Sequence, residues 1–360
     1  MPDLFTPFAL GELELPNRIV MAPLTRRRAG TGKVPTALNA QYYAQRASAG
    51  LIISESTEID PSSAGDPPTR PGLFNDVQTE GWRGVTDAVH AAGGRIVVQL
   101  SHLGRAAHPS MRLDGSDPVA PSAIAARGTV FTALGAQPYA MPRALRTDEV
   151  PVVVGHFAEA ARRARLAGFD GIELHGANGY LIDQFLRDGS NQRNDRYGGN
   201  IANRTRFLIE IVEAVLGIWQ PAQIGLRLSP FGTFQDMRDS DPAGLFGGVA
   251  TALAPYRLGY LHVVNPAGPG TVDERQLIAD LKAAFGGSFI LGGGFSHASA
   301  SAAIAERAAD LIAFGEAFLA NPDLPERFRR NAGLNKPERA TFYGGGERGY
   351  IDYPFLADPP

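Results

Sequence analysis

Short apolar runs alternate with longer helical patterns along nearly the whole chain, and this alternation restricts the fold more than any other feature. Eight runs are predicted strands: 19–22, 51–55, 95–100, 171–174, 224–228, 260–264, 289–291 and 311–314. The predicted helices lie near 36–49, 79–92, 150–167, 203–216, 242–257, 273–285, 298–307 and 316–329. Such alternation favours parallel strands joined by helical crossovers. Eight units within 360 residues predict an α/β fold, a TIM (β/α)₈ barrel forming one domain over residues 1–360.

The segment 104–147 does not fit a simple strand–helix unit. It is rich in Pro, Gly, Ala and Ser, and it separates the third predicted strand from its helix. A loop of this length inside a folded domain is usually functional or disordered. On a barrel it would follow the carboxyl end of the strand, so we expect a lid or cap above the active site.

The absence of cysteine from the 360 residues excludes several chemistries. The chain has no disulfide, thiol nucleophile, Cys-bound zinc or Cys-held iron–sulfur cluster. A Schiff base would need one of only three lysines, Lys33, Lys282 and Lys336, and none lies on a predicted strand. A Schiff-base aldolase barrel therefore stays open only as a weaker alternative.

The charge pattern gives no sign of a polyanionic partner. The formal net charge is -3, so neither nucleic acid nor an anionic membrane is an expected partner. The first residues, Met1-Pro2-Asp3, do not resemble a signal peptide, and no apolar run is long enough to span a membrane. These observations predict a cytoplasmic protein.

Polar side chains interrupt three of the predicted strands or their exits. In 224–229 the large apolar residues alternate, which points Arg227 toward the barrel axis. It could form a structural ion pair with Glu173, or lie beneath a bound anion or electron-rich ring. Gln99 ends the third strand and Thr25 follows the first. Such residues are often structural, but here they meet at the face where barrels hold their active sites.

The strongest local cluster follows the fourth predicted strand, in His175-Gly176-Ala177-Asn178-Gly179-Tyr180. One His and one Asn could each donate a hydrogen bond to the same substrate oxygen and so form an oxyanion hole. Tyr180, protonated at neutral pH, could act as a general acid. The segment offers only one strong metal ligand, so no metal site is expected.

Glycines follow the last two predicted strands, in Gly292-Gly293-Gly294 and at Gly315. Each group precedes a predicted helix, and barrels often bind phosphate with these two loops through free backbone N–H groups. Glycines in tight turns would explain either loop alone. Their occurrence in both loops favours a phosphorylated ligand.

Taken together, these residues resemble the Old Yellow Enzyme family of flavin-dependent ene-reductases. The similarity is greatest to the bacterial branch that includes pentaerythritol tetranitrate and glycerol trinitrate reductases. It covers almost the full length. The motifs that carry it are Pro16-Asn17-Arg18, Met21-Ala22-Pro23-Leu24-Thr25-Arg26, Gln45-Arg46-Ala47-Ser48-Ala49-Gly50-Leu51-Ile52, Asn191-Gln192-Arg193, Tyr197-Gly198-Gly199, Ala320-Asn321-Pro322-Asp323 and Phe342-Tyr343-Gly344-Gly345-Gly346.

The resemblance implies non-covalent FMN, NADPH or NADH as hydride donor, and hydride transfer through flavin N5 to the β-carbon of an α,β-unsaturated carbonyl or nitroalkene. It further implies that His175 and Asn178 bind the substrate oxygen, that Tyr180 protonates the α-carbon, and that Tyr343 lines the substrate pocket. Nitrate-ester and nitroaromatic reduction are implied as side activities. The residues implied for FMN are Pro23, Thr25, Ser56, Gln99, Arg227, Gly293, Gly294, Gly315 and Glu316.

Three positions depart from the family pattern. Glu316 stands where the family commonly has an arginine near the FMN phosphate, which keeps open a flavin- or phosphate-binding barrel without turnover. Ser101 and Pro67 stand where the branch usually has aromatic residues, and we expect a wider substrate pocket. The sequence leaves open the physiological alkene, the preference between NADPH and NADH, and whether the protein is a monomer or a homodimer.

Overall fold

Eight parallel strands form a closed barrel at the centre of the computed structural model, which describes residues 2–63, 69–112, 115–265 and 270–357. The strands are β1 (Ile19–Met21), β2 (Leu51–Ile53), β3 (Ile96–Ser101), β4 (Gly171–Gly176), β5 (Ile224–Leu228), β6 (Tyr260–Val264), β7 (Ser288–Gly292) and β8 (Leu311–Phe314). The ring closes because β8 pairs with β1, with Phe314 opposite Met21. The predicted barrel and its eight strands are confirmed.

Ten α-helices surround the barrel in the part of the chain that the structure describes. They are α1 (Ala37–Ala44), α2 (Asp76–Ala91), α3 (Val150–Leu166), α4 (Leu181–Leu186), α5 (Ile201–Leu216), α6 (Pro242–Leu253), α7 (Val272–Phe285), α8 (His297–Ala305), α9 (Glu316–Ala320) and α10 (Leu324–Arg329). Five helices begin at a side chain that accepts a hydrogen bond from the backbone N–H three residues later. These caps are Asn75, Asn200, Asp241, Thr271 and Ser296.

Two helix predictions need correction. A single helix over 316–329 was predicted, but the chain forms α9 and α10 with a break at Asn321-Pro322. Asn321 is extended, because the ring of a following proline disfavours helical backbone at the preceding residue. The sequence reading also missed α4, a six-residue helix directly after β4.

Shorter elements accompany the eight barrel strands, and one of them, Thr57–Glu58, pairs with β3. The additional strands are Phe8–Leu10, Leu13–Leu15, Thr57–Glu58, Val119–Ala120, Thr129–Thr132, Gly135–Pro138 and Arg143–Ala144. Single 3₁₀ turns occur at Thr31–Lys33, Pro61–Ser63, Gly104–Ala106, Pro109–Met111, Pro221–Gln223, Phe234–Asp236, Ala254–Tyr256 and Arg339–Thr341.

The insertion between β3 and α3 contains the antiparallel hairpin Thr129–Thr132 and Gly135–Pro138. It reaches the loop that follows β5. Arg105 donates from Nη2 to the carbonyl oxygens of Gln235 (3.2 Å) and Asp236 (3.1 Å), and Arg127 forms an ion pair with Asp236 at 2.6 Å. The insertion therefore joins the exits of β3 and β5 on the carboxyl-end side of the barrel.

The interior of the barrel changes from apolar to polar along its axis. Large apolar side chains fill its lower part: Val20, Leu51, Ile53, Val97, Tyr260, Ile290 and Leu311. Gly225 leaves room for Tyr260, because a Cβ there would lie 2.1 Å from the Cζ of that ring. The alternation predicted for β5 is confirmed, since Ile224, Leu226 and Leu228 pack in the separate outer core while Gly225 faces inward.

None of the helices in the described ranges combines the length and apolarity that a membrane crossing requires.

Candidate functional site

A cavity of about 440 Å³ opens at the carboxyl ends of β1, β7 and β8. Six of the nine residues that the family resemblance implies for FMN line it. They are Pro23, Arg227, Gly293, Gly294, Gly315 and Glu316. Of the remaining three, Thr25 and Ser56 follow the ends of β1 and β2, and Gln99 lies near the carboxyl end of β3.

The glycine turn after β7 shapes this cavity. Gly293 has a φ of 117° and Gly294 a φ of 62°, conformations that residues with a side chain rarely adopt. A Cβ on Gly293 would lie 1.8 Å from the carbonyl oxygen of Asn265, so that position accommodates only glycine. The turn thus presents bare backbone to the cavity, which suits close approach of a phosphate.

Arg227 places a buried guanidinium in the wall of the cavity. It is 8% exposed, and its Nε has no hydrogen-bond partner among the described residues. Burial lowers the pKa of Arg227, and attraction to Glu173 opposes that effect. A buried cation without a bonded acceptor is costly, so this position is built for an anionic or electron-rich ligand.

Glu173 does not pair directly with Arg227, so the ion pair that the sequence allows between them is not formed. Its two carboxylate oxygens accept from Gln99 Nε2 at 2.7 Å and from His262 Nδ1 at 2.9 Å. Gln99 therefore has its amide donor engaged and offers its carbonyl oxygen to a ligand. Burial lowers the pKa of His262, and the adjacent Glu173 opposes this. The sequence reading gave His262 no role.

His175 ends β4 beside Arg227, its register partner on β5. Burial lowers its pKa well below the usual histidine range, and the charges of Arg227 and Arg70 lower it further. The neutral ring accepts from the backbone N–H of Ala177 at Nδ1 (3.4 Å), which places its proton on Nε2. His175 is thus a neutral hydrogen-bond donor at the mouth of the barrel.

The turn after β4 holds Asn178 in a left-handed conformation, with a φ of 58°. Its backbone N–H donates to Ser229 Oγ at 2.8 Å, while the next N–H, that of Gly179, donates to Asp183 Oδ2 at 2.9 Å. Asp183 is buried and ion-paired with Arg187 at 2.8 Å. Its burial raises its pKa, and Arg187 opposes that effect. The sequence reading missed these three supporting residues.

Tyr180 follows this turn and caps α4. Its ring meets the ring of His175 edge to face, with the centroids 4.8 Å apart at an angle of 84°. The guanidinium carbon of Arg70 lies 5.9 Å from the Tyr180 ring centroid. The structure therefore brings His175, Asn178 and Tyr180 together as the sequence predicted, and adds Arg70, for which the sequence gave no signal.

Ser56 and Ser101 meet beside this group. Their hydroxyl oxygens are 2.6 Å apart, and Ser101 also donates to the Thr57 carbonyl oxygen at 3.2 Å. Ser101 is fully buried. Pro67, the other position expected to widen the pocket, lies outside the described residues.

The exit of β1 is fixed by a buried carboxylate that the sequence reading did not consider. Glu55 Oε2 accepts from the backbone N–H groups of Arg26 (2.9 Å) and Arg27 (3.2 Å). Burial raises the pKa of Glu55, and these hydrogen bonds oppose that effect. The two bonds hold the segment directly after Thr25, which makes no side-chain hydrogen bond in the described part of the chain.

Two predicted site residues lie nearer the solvent than the others. Glu316 is in the cavity rim, but its side chain is 58% exposed and lies 3.6 Å from Arg339. Tyr343 is 60% exposed, and the guanidinium carbon of Arg27 lies 5.1 Å from its ring centroid. The nearby Arg339 guanidinium thus partly offsets the negative charge of Glu316.

Within the described ranges, no group of three or more His, Asp and Glu side chains could hold a metal ion. None of the three lysines is among the described residues that line the cavity. Lys33 is buried in an ion pair with Glu58 at 2.9 Å, and Lys282 lies 3.4 Å from Asp310. These contacts give no support to Schiff-base chemistry.

These features define a class of protein: a parallel eight-stranded barrel with a ligand cavity at its carboxyl end. The glycine turn, the buried Arg227 and the free carbonyl of Gln99 fit a flavin that carries a phosphate. A neutral histidine donor and a tyrosine lie beside that cavity.

Comparison with known proteins identifies the family. Residues 3–335 match the model of the NADH:flavin oxidoreductase / NADH oxidase family, and the chain belongs to this family. The flavin oxidoreductase hxnT of Emericella nidulans is 44% identical, over 99% of this chain and 98% of the relative. Morphinone reductase in complex with tetrahydroNAD superposes with a TM-score of 0.94 and 46% identity, over 99% of both chains. The Old Yellow Enzyme homologue of Zymomonas mobilis superposes with a TM-score of 0.94 and 43% identity, over 99% of this chain and 100% of that one.

The protein is therefore an FMN-dependent, NAD(P)H-dependent ene-reductase of the Old Yellow Enzyme family. The resemblance inferred from the sequence motifs is confirmed.

Proposed function

We propose that His175 and Asn178 bind the carbonyl or nitro oxygen of an activated alkene and that Tyr180 supplies the proton. The observation that carries this assignment is the neutral His175, held with its Nε2–H available at the barrel mouth and with Tyr180 against its ring. When bound, FMN supplies a hydride acceptor and donor at N5, which NAD(P)H reduces and the alkene reoxidises.

His175 acts in this scheme as a fixed donor. Negative charge develops on the substrate oxygen as hydride reaches the β-carbon, and a donor already oriented toward that oxygen stabilises the transition state more than the ground state. Burial and the two nearby guanidinium groups keep the ring neutral, so it donates a hydrogen bond without giving up a proton. The Asn178 amide would provide a second donor, from a turn whose backbone is fixed by Ser229 and Asp183.

Tyr180 would give its phenolic proton to the α-carbon. Its hydroxyl makes no hydrogen bond to any described residue, and its ring is held between His175 and Arg70. An available hydroxyl on a fixed ring is what a general acid needs in order to reach a substrate carbon.

The FMN contacts are proposed as follows. Arg227 would lie at the electron-rich side of the ring system, and the Gln99 carbonyl would accept from its pyrimidine edge. Backbone groups of Gly293, Gly294 and Gly315 would hold the phosphate. Pro23, Thr25 and Ser56 would contact the ring from the exits of β1 and β2, and Glu316 would stay at the rim beside Arg339.

Two variants test the catalytic assignment by half-reaction. In His175→Ala, we expect alkene reduction to fall by about 100- to 1,000-fold, the usual effect of removing one oxyanion donor, with FMN still bound. In Tyr180→Phe, the oxidative half-reaction with alkene should slow more than anaerobic flavin reduction by NAD(P)H. Stopped-flow flavin absorbance measures both steps. Full alkene activity in His175→Ala would refute the role of His175 as a donor to the substrate oxygen. Equal slowing of both half-reactions in Tyr180→Phe would refute the role of Tyr180 as the proton donor.

The choice of nicotinamide donor, the role of the insertion and the range of substrates are also proposals. Either NADH or NADPH could serve as donor, and the ratio of kcat/KM for the two measures the preference. The relative bound to tetrahydroNAD supports a nicotinamide donor. Segment 104–147 is proposed to cover the site as a lid, and nitrate esters and nitroaromatics are proposed as further substrates. A cytoplasmic location, one folded domain and a monomeric or homodimeric state remain predictions.

A further inference from the structure

The loop 341–349, called the Tyr343 loop below, is closed at its ends but has no core of its own. Its ends meet, because a Cβ on Gly349 would lie 1.8 Å from the Oγ1 of Thr341. Residues 341–348 are exposed or half-buried. A closed surface loop of this kind depends on hydrogen bonds to the rest of the protein for its order.

Arg26, which directly follows the proposed flavin contact Thr25, binds the Tyr343 loop at both ends. It is fully buried, and it donates from Nε to the carbonyl oxygen of Phe342 (3.0 Å) and from Nη2 to that of Gly349 (2.6 Å). Its own carbonyl oxygen accepts from the backbone N–H of Gly344 at 2.9 Å. One residue of the β1 exit thus fixes the start, the middle and the end of the loop.

Arg28 holds further carbonyl oxygens of the same loop. Its Nη2 donates to Thr341 (2.9 Å) and Arg348 (3.1 Å), and its Nε donates to Gly346 (2.9 Å). Its Nη1 donates to the Arg26 carbonyl oxygen at 3.0 Å, which joins the two arginines. Because a guanidinium is planar and rigid and has five N–H donors, it can hold the backbone of separate residues in one arrangement.

The Tyr343 loop borders the mouth of the barrel. Arg339, which precedes the loop, lies 3.6 Å from Glu316 in the rim of the cavity. The guanidinium carbon of Arg27 lies 5.1 Å from the centroid of the Tyr343 ring. Glu55 fixes the backbone of the same β1 exit, so the loop and the proposed flavin contacts are attached to one segment.

We propose that Arg26 and Arg28 are positioning residues that set the place of Tyr343 in the wall of the substrate pocket. This inference rests on the proposed function and on the position of Tyr343 beside the substrate, which the family resemblance implies. Both guanidinium groups are buried and bonded to carbonyl oxygens, so they would act on the substrate only through the loop. They would keep the Tyr343 ring at a fixed distance from the segment that contacts the flavin.

The oxidative half-reaction of the FMN-loaded enzyme with 2-cyclohexen-1-one tests the proposal. Stopped-flow flavin absorbance gives the apparent dissociation constant of the alkene and the limiting rate of reoxidation. Arg28→Met should raise the apparent dissociation constant by about 3- to 10-fold, the range expected on losing one substrate contact, and change the limiting rate less. Tyr343→Ala should have a similar effect. The double variant should be no worse than Tyr343→Ala alone, because both changes remove the same contact.

Limited proteolysis of the FMN-free protein gives a readout that does not depend on activity. Cutting by trypsin after Arg348 should be about 10-fold faster in Arg28→Met, since cleavage follows the population of the opened loop. Arg327→Met is the matched control. Arg327 is buried and donates to the carbonyl oxygens of Gly333 (2.7 Å) and Pro354 (2.8 Å), outside the loop. This control should lose stability without faster cutting at Arg348 and without a change in the affinity for the alkene.

The outcomes separate this inference from the proposed function. If Arg28→Met does not fold, Arg28→Gln replaces it, because one amide cannot span the oxygens that the guanidinium holds, and the same changes are expected. Unchanged affinity for the alkene in the folded variant overturns the proposal, as does an effect that persists in full when Tyr343 is already alanine. Tyr343→Ala with unchanged affinity also overturns it. A wild-type enzyme whose reduced flavin the alkene does not reoxidise overturns the proposed function instead, and cutting after Arg348 then decides whether Arg28 holds the loop.

Discussion

Arg227→Met is expected to change protein stability and FMN affinity in opposite directions. In the FMN-free chain the Arg227 guanidinium is buried, and its Nε lacks a partner among the described residues. Met has a similar length and removes the desolvation cost of this buried charge, so the substitution should be neutral or stabilising in the FMN-free protein. We therefore expect the apoprotein to unfold at a higher urea concentration than the wild type.

The affinity for FMN should fall in Arg227→Met. A hydrogen bond from a charged donor contributes about 1.5–3 kcal/mol, so its loss should raise the FMN Kd by about 10- to 100-fold. Urea unfolding followed by circular dichroism gives the free energy of unfolding, and quenching of FMN fluorescence gives the Kd.

Arg204→Met is the matched control. Arg204 is buried to a similar degree, but it is paired with Asp239 at 2.6 Å and donates to the Leu186 carbonyl oxygen at 2.7 Å. Its removal leaves the Asp239 carboxylate without its cationic partner and should destabilise the protein by about 3–5 kcal/mol, while the affinity for FMN should not change. A clear loss of stability in the Arg227→Met apoprotein, or an unchanged FMN Kd, would refute the view that Arg227 is held for the ligand.

Three further outcomes are expected. Ser229→Ala leaves the backbone N–H of Asn178 without its acceptor, so the free energy of unfolding should fall by about 1–3 kcal/mol and kcat/KM for the alkene should also fall. Unchanged values of both quantities would contradict the role of Ser229 in positioning Asn178. Gly225→Ala should lower the free energy of unfolding measured with urea by about 3 kcal/mol, because the added Cβ would overlap the Tyr260 ring. A second substitution, Tyr260→Leu, should recover part of that loss. If Gly225→Ala were as stable as the wild type, the close contact with Tyr260 would be contradicted. The pKa of His156 is raised by the Asp60 carboxylate, whose Oδ2 lies 3.2 Å from the ring Nδ1. The stability difference between wild type and His156→Gln should therefore be largest below pH about 6.5 and disappear as pH rises through the raised pKa; a difference that grows with pH would contradict this expectation.

The departures from sequence-based expectation have local causes. The segment predicted as the last helix is divided into two helices because Pro322 disfavours helical backbone at the residue before it. That proline is visible in the sequence, but the helical pattern on either side of it favoured one continuous helix. The period of β5 correctly predicted that Arg227 points inward. Of the two interpretations that the sequence left open for it, the ion pair with Glu173 is not formed, because side chains of β3 and β6 occupy both carboxylate oxygens.

The sequence by itself determined the eight-unit barrel, the inward face of β5 and the position of His175, Asn178 and Tyr180 in one segment after the fourth strand. These follow from short-range periodicity and from the rule that parallel strands end at one face. Only the tertiary structure decided the supporting contacts. Arg70 reaches Ser56 and Tyr180, and Asn178 is fixed by a serine 51 residues away, because the packing of separate loops sets these distances. The sequence therefore specified which groups are proposed to carry the chemistry, and the folded chain specified their neighbours and the surroundings that set their charges.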